Sequence, residues 1–157
     1  MDKMKLHFEL TELQTGYVAA IDDERFEDWP NFFTPDGNYE IIPRENFAQG
    51  LPAGLMHCFG QTMMRDRVVS MREANVFHAH TYRHFVSGLE ILSQSADEVV
   101  TRSNYLVMRT VNELNADVFQ VGRYDDIVVR TDAGWRYRSK RAIYENARVD
   151  TLLVIPV

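Results

Sequence analysis

The chain has 157 residues, 45% of them hydrophobic and 25% charged, which is the composition of one ordinary globular domain and excludes a disordered chain. Its 17 basic and 23 acidic residues leave a net charge of −6, which argues against nucleic acid or anionic membrane as partners, since both reward a basic footprint. No run approaches the roughly 18 apolar residues of a membrane span. The opening Met1-Asp2-Lys3-Met4-Lys5 lacks the apolar core of a signal peptide, so a cytoplasmic protein is expected.

In chain order, Leu6, Leu10, Leu13, Tyr17 and Ile21 recur every three or four residues and predict a helix with one apolar stripe. Asp22 or Asp23 can cap a second short helix carrying Phe26, Trp29, Phe32 and Phe33, bent at Pro30. Thr34-Pro35-Asp36-Gly37 predicts a turn, followed by a strand with Tyr39 and Ile41 that Pro43 closes. Residues 44–60, punctuated by Gly50, Pro52, Gly54 and Gly60, read as a loop. Helical spacing returns over 61–74 through Met64, Val68 and Met71; Met56 and Met63 join these as candidate core residues. Three long strands follow at about 80–93, 98–111 and 117–131, then a fourth at about 134–145. The apolar tail Leu152-Leu153-Val154-Ile155-Pro156-Val157 must add to the sheet or bury itself against a partner.

Helices first and a long strand meander afterwards give an α+β class, best met by a curved antiparallel sheet wrapped around the N-terminal helices as a cone-shaped barrel. No repeat or domain boundary interrupts residues 1–157. Charges alternate with apolar residues along Gly122-Arg123-Tyr124-Asp125-Asp126-Ile127-Val128-Val129-Arg130 and again after Gly134-Trp135-Arg136. Successive strand side chains point to opposite faces, so one face is expected to be apolar and the other to carry Arg123, Asp125, Arg136, Arg138 and Lys140. Opposite charges on neighbouring strands would then set the register.

The residues offer little independent chemistry. Cys58 is the only cysteine, which rules out a disulfide framework, a Cys-rich zinc site and a self-contained iron–sulfur cluster, and predicts an idle, packed thiol. His78, His80 and His84 crowd one stretch, with Glu90 or Asp97 as conceivable carboxylate partners for a metal, but convergence of three ligands from rigid elements is not indicated. Solvent or interface histidines are the expectation. An acid–base pair is the better enzymatic case: Asp23 after the first helix and His84 on a strand could face an internal pocket of a stand-alone lyase or isomerase. The competing assignment makes Asp23 a helix cap and His84 a hydrogen-bonded sheet residue. Tyr82-Arg83-His84 is a second polar knot, suited to carboxylate pairing at an interface.

Several stretches in order carry a family likeness. They are Asp22-Asp23-Glu24-Arg25-Phe26-Glu27-Asp28-Trp29, Phe32-Phe33-Thr34-Pro35-Asp36-Gly37-Asn38-Tyr39, Met64-Arg65-Asp66-Arg67-Val68, Tyr82-Arg83-His84-Phe85-Val86-Ser87, Arg102-Ser103-Asn104-Tyr105, Gly122-Arg123-Tyr124-Asp125-Asp126 and Gly134-Trp135-Arg136. Together they resemble the small (β) subunit of bacterial aromatic-ring-hydroxylating dioxygenases. Trp29-Pro30, Arg72-Glu73-Ala74-Asn75 and Val149-Asp150-Thr151-Leu152-Leu153 are similar to the terephthalate dioxygenase and salicylate hydroxylase subgroup. Ser87-Gly88 and His78-Ala79-His80-Thr81 depart from the commoner Ser-Asn and Pro-Ser-Arg of the family.

The resemblance implies a barrel of the nuclear-transport-factor and ketosteroid-isomerase type. It also implies assembly with a large (α) subunit as an α3β3 hexamer, a β trimer alone being possible. The Rieske 2Fe-2S cluster and the mononuclear iron would sit in the α subunit, leaving no cofactor or metal here, and the complex would act on a carboxylated aromatic compound. Arg83, Arg123, Asp126, Trp135 and Arg136 are expected to fix the sheet and its subunit contacts. A barrel mouth plugged by aromatics such as Trp29, Phe32 and Tyr105 favours the subunit reading over the Asp23–His84 enzyme.

Overall fold

In the computed structural model, residues 2–73, 80–112, 115–146 and 155–157 are described. Helix α1 (Lys3–Asp22) begins at Asp2, whose carboxylate accepts from the Met4 N–H at 3.1 Å, and buries Leu6, Leu10, Tyr17 and Ile21. Gln14 rather than Leu13 completes its most buried stripe. The helix stops without a glycine: Glu24 takes the left-handed conformation (φ 57°), letting the Arg25 N–H reach Ala20 O at 2.8 Å. The second helix expected around Phe26–Phe33 is only a 3-10 turn over Trp29–Phe32, begun by Pro30.

Strand β1 (Phe33–Pro43) is followed by α2 (Arg44–Ala48), β2 (Met56–Phe59) and α3 (Gly60–Glu73). The meander then runs β3 (His80–Gln94), β4 (Glu98–Val111), β5 (Asn115–Thr131) and β6 (Gly134–Tyr144). The six strands form one sheet in the order β2-β1-β6-β5-β4-β3. Two expectations change here. Residues 44–60 are not all loop, since they hold α2 and β2. The sheet is also mixed and unclosed, because β1 pairs with β6 in parallel while its other pairs are antiparallel. Hairpins force antiparallel pairing within the meander, but no hairpin joins β1 to β6, so the wrap of the sheet sets their direction.

The α+β cone stands as expected, although Thr34–Gly37, expected as a turn before the strand, lies within β1, where its pairing with β6 is irregular between Phe33 and Asn38. Its interior is aromatic: Tyr17, Trp29, Phe33, Tyr39, Tyr105, Tyr124 and Tyr137 are each at most 2% exposed. Met56, Met64 and Met71 join that core, while Met63 faces solvent. The described end of the tail takes neither expected course. Ile155, Pro156 and Val157 are buried in the chain's own core. Val157 is held by tyrosine side chains: its main-chain oxygen accepts from the hydroxyls of Tyr17 (2.9 Å) and Tyr39 (2.7 Å), and its N–H donates to Tyr39 Oη at 2.8 Å. The part of the tail at 147–154 lies outside the described residues, as do His78 and Ala74–Ala79 generally.

Opposite charges pair across strands on the outer face, two of the pairs in direct register between β4 and β5. Arg102 on β4 forks onto Asp125 on β5 at 2.8 and 3.2 Å, Arg109 reaches Asp117 at 2.9 Å, and Arg138 reaches Glu98 at 2.5 Å. Lys140 is the exception. Ile127 pairs with Ser139 and Val128 with Tyr137, so Arg138 is one residue extra in β6. That bulge reverses the alternation, and Lys140 follows Tyr137 into the core instead of Arg138 to the outside.

Candidate functional site

The interior polar cluster grows from that bulge. Lys140 is fully buried, with Nζ 2.9 Å from Asp126 Oδ2 and 3.6, 4.5 and 4.6 Å from the ring centroids of Tyr124, Tyr137 and Tyr17. Three aromatic faces and one carboxylate thus replace its water shell. Burial lowers the Lys140 pKa against the upward pull of Asp126, and burial raises that of Asp126 against the downward pull of Lys140. Burial also lifts the hydroxyls of Tyr17, Tyr124 and Tyr137 well above the ordinary phenol range. Nearby, Gln14 donates to the Ser103 hydroxyl at 2.6 Å and Tyr105 donates to Gln120 Oε1 at 2.8 Å, with Tyr105 stacked on Tyr124. These polar side chains bond one another inside the aromatic core.

The acid–base pair takes a different carboxylate from the expected one. Asp23 is the exposed C-cap residue of α1, whereas Asp22 is buried and faces β3. Asp22 Oδ1 lies 2.6 Å from His84 Nδ1, and Oδ2 accepts the His84 backbone N–H at 2.9 Å. A carboxylate facing Nδ1 favours the tautomer that donates from it, and the other ring nitrogen, Nε2, is buried with no hydrogen-bond partner among the described residues. Asp22 follows the buried Val18 by four residues, on the same helical face, which is the signal that would have singled it out. The pair clamps the end of α1 to β3. Asp22→Ala should therefore lower stability by about 2–3 kcal/mol in urea unfolding, whereas Asp23→Ala should stay within about 0.5 kcal/mol of the parent.

The five residues expected to fix the sheet do not form one cluster. Arg83 projects outward, 3.8 Å from Asp22. Arg123 lies 3.3 Å from Asp125 and stacks over Phe47 of α2, which Arg141 also faces. Burial pushes the Asp125 carboxyl up, but the fork of Arg102 and the charge of Arg123 together outweigh it and hold the carboxyl below the usual range. Asp126 is internal. Trp135 is 6% exposed and donates from Nε1 to Glu9 Oε2 at 2.7 Å; Arg130 covers its ring and also reaches Glu9, at 3.2 Å. Glu9, missed in the sequence, thus knots α1 to the β5–β6 hairpin, and Arg136 Nη1 donates to the Trp135 carbonyl at 2.8 Å. An open groove of about 690 Å³ runs beside this knot, lined in part by Phe8, Leu13, Phe32 and Trp135.

Among the described residues no three His, Cys, Asp or Glu side chains are grouped to hold a metal. Cys58 is buried, and burial raises its thiol pKa. One cysteine does not fit a Rieske centre, which needs two on one of its irons.

Residues 4–141 match the SnoaL-like domain family. The chain is 49% identical to the anthranilate 1,2-dioxygenase small subunit of Burkholderia cepacia, over 99% of this chain and 97% of that one. It is 30% identical to the terephthalate 1,2-dioxygenase terminal oxygenase component subunit beta 1 of Comamonas sp, over 95% and 97% of the two chains. Among solved structures it matches the β subunit of an aromatic-ring-hydroxylating dioxygenase described from Novosphingobium aromaticivorans, with a TM-score of 0.90, 32% identity and 98% of each chain covered. The benzoate 1,2-dioxygenase β subunit of Burkholderia mallei shares the fold at 14% identity, with a TM-score of 0.72 and 93% and 92% of the chains covered. With its aromatic-filled cone and this likeness along nearly its whole length, the chain belongs to the family of small (β) subunits of aromatic-ring-hydroxylating dioxygenases.

Proposed function

We propose that this chain is the structural, non-catalytic subunit of a terminal oxygenase that hydroxylates a carboxylated aromatic compound. The observation that carries the reading is the 49% identity to an anthranilate 1,2-dioxygenase small subunit, with terephthalate 1,2-dioxygenase subunits at 30%. Anthranilate and terephthalate are both aromatic carboxylates, and that shared chemistry supports the substrate class. In this reading the large subunit holds the Rieske cluster and the mononuclear iron, the particle is an α3β3 hexamer, and it works in the cytoplasm. The aromatic-packed interior supports a subunit role over a stand-alone lyase or isomerase, since Asp23, the carboxylate expected to work with His84, is exposed at the end of α1.

The outer sheet face supports a contact with the large subunit. Phe85, Leu106 and Val121 stand in register across β3, β4 and β5, with Phe85 57% and Val121 39% exposed. Arg83 lies two residues from Phe85 on β3, and Arg123 lies two residues from Val121 on β5; each presents a guanidinium beside the apolar row. A protein surface pays little attention to single apolar residues, but a registered row between charges has the make-up of an interface core and rim.

The test is the mass of the purified chain by light scattering, alone and with the large subunit encoded beside it, together with metal analysis. A hexamer-sized, iron-containing particle is expected from the pair, and an iron-free product from the chain alone. Phe85→Glu should leave the fold intact and weaken co-elution. A chain that ignores the large subunit would overturn the proposal.

A further inference from the structure

We propose that the outer groove between α1 and the β5–β6 hairpin is a binding site for a small aromatic monocarboxylate, with Arg136 as its anion partner. The groove lies outside the cone, and none of the residues lining it belongs to the Lys140–tyrosine cluster. Its volume of about 690 Å³ is that of a small-molecule site, for which roughly 300–1,000 Å³ is usual. Phe8 and Leu13 of α1, Phe32 of the 3-10 turn and Trp135 of β6 give it apolar walls from three elements. Two of these walls are held in place by the fold. The Phe32 ring packs edge-on against Tyr17, 5.9 Å between centroids, so close over Gly16 that a Cβ there would lie 3.2 Å from it. The Trp135 indole is tied to Glu9 at 2.7 Å. Aromatic walls that are already ordered lose little freedom when a flat ring enters between them.

Charge decides the class of ligand. The groove is lined by the guanidiniums of Arg25, Arg130 and Arg136 and by the carboxylates of Glu9, Glu12 and Asp28. Two of each are already matched: Arg25 holds Asp28 at 2.8 Å, and Arg130 holds Glu9 at 3.2 Å. Arg136 and Glu12 remain, neither of them in an ion pair among the described residues. They are not equivalent. Glu12 is exposed and keeps its water, whereas Arg136 is half-buried. Arg136 Nη1 is pinned to the Trp135 carbonyl at 2.8 Å, which orients the guanidinium and leaves its other donors without a partner among the described residues. A partly desolvated, oriented guanidinium beside aromatic walls selects a carboxylate carried on a flat apolar body. Glu12 in the same groove opposes a second negative charge, so a monocarboxylate is preferred over a dicarboxylate.

The experiment is equilibrium dialysis of radiolabelled benzoate against the particle as it purifies, with its large subunit where the two assemble and as the chain alone where they do not. Any site on the large subunit is common to all variants, so the groove is read as the difference between parent and variant small subunits. The parent should bind one more benzoate per small subunit than the variants do, with a Kd of about 1 mM, as suits so small a ligand. Arg136→Gln should weaken that site about tenfold or more, the loss of a charge-assisted hydrogen bond. Phe8→Ser, at a side chain 64% exposed, should weaken it about threefold without disturbing the fold. Glu12→Gln should tighten it about two- to threefold and remove the preference for benzoate over terephthalate. Benzamide, of the same shape without the charge, should not compete. Equal benzoate binding by the parent, Arg136→Gln and Phe8→Ser would overturn the proposal. So would competition by benzamide at the same concentration, or a site present in the chain alone but closed in the assembled particle, which would make the groove a contact with the large subunit.

Discussion

Asp126→Ala is expected to destabilise the protein by about 3–5 kcal/mol, the cost of leaving one member of a buried ion pair alone. For a chain of this length that is a fall in Tm of roughly 6–20 °C. The loss falls on Lys140, which is fully buried and has Asp126 as its only ion-pair partner among the described residues. Three tyrosine rings remain around Nζ in the variant, but their quadrupoles cannot match a carboxylate at 2.9 Å. The pH dependence has a definite sign. Burial already lowers the Lys140 pKa in the folded state, and removing Asp126 removes the pull that opposes it. The unfolded chain then binds a proton that the folded chain releases, so stability rises with pH and the deficit narrows toward the ordinary lysine range near about 10. Replacing both partners, Asp126→Leu with Lys140→Met, should recover most of the loss, to within about 1 kcal/mol of the parent. Chemical unfolding at pH 7 and pH 9.5 checks each of these, and a single variant no worse than the double would refute the account.

Trp135→Ala carries the second large effect, about 3–5 kcal/mol, because it empties a side chain that is only 6% exposed. It also removes the indole donor that, as the largest cause, lowers the Glu9 pKa, and it takes away the ring beneath Arg130. Helix α1 and the β5–β6 hairpin would lose their shared knot. Trp135→Phe keeps the ring and loses the donor, so a cost of about 1 kcal/mol is expected. The size-exclusion profile of the assembled oxygenase separates folding from contact. Loss of assembly in Trp135→Ala that tracks its melting temperature marks a structural residue. Normal assembly with abolished turnover would instead place Trp135 in the chemistry and contradict the subunit reading.

Long periodic elements were legible in the amino-acid sequence and short or irregular ones were not. The stripe through Met64, Val68 and Met71 located α3, and the turn clusters bounded β3 to β6 within a few residues. Helix α2 has no buried residue and β2 only four residues, so neither leaves a hydrophobic period to read. Strand alternation tells faces apart but carries no information on the direction of a partner strand, which hid the parallel pairing of β1 with β6. The same rule placed Lys140 outside, because one bulged residue at Arg138 inverts every side chain after it. Asp22 was displaced by its neighbour Asp23 because a helix end without glycine gives no sharp stop, and Glu24 in the left-handed conformation supplied one unseen. The family likeness rested on ordered motifs and so survived all these local errors.

The parallel pairing of β1 with β6 also sets a time order. Tyr39 meets Lys140, and Ile41 meets Ala142, about a hundred residues further along the chain. Contacts of such separation close large loops and slow the search for the native state. During synthesis, β1 and its inward-facing Phe33, Tyr39 and Ile41 must wait, unpaired on that edge, until β6 has emerged. Until then the strand edge is open to other chains, a period in which dilution, cooling or a chaperone would raise the yield of folded protein.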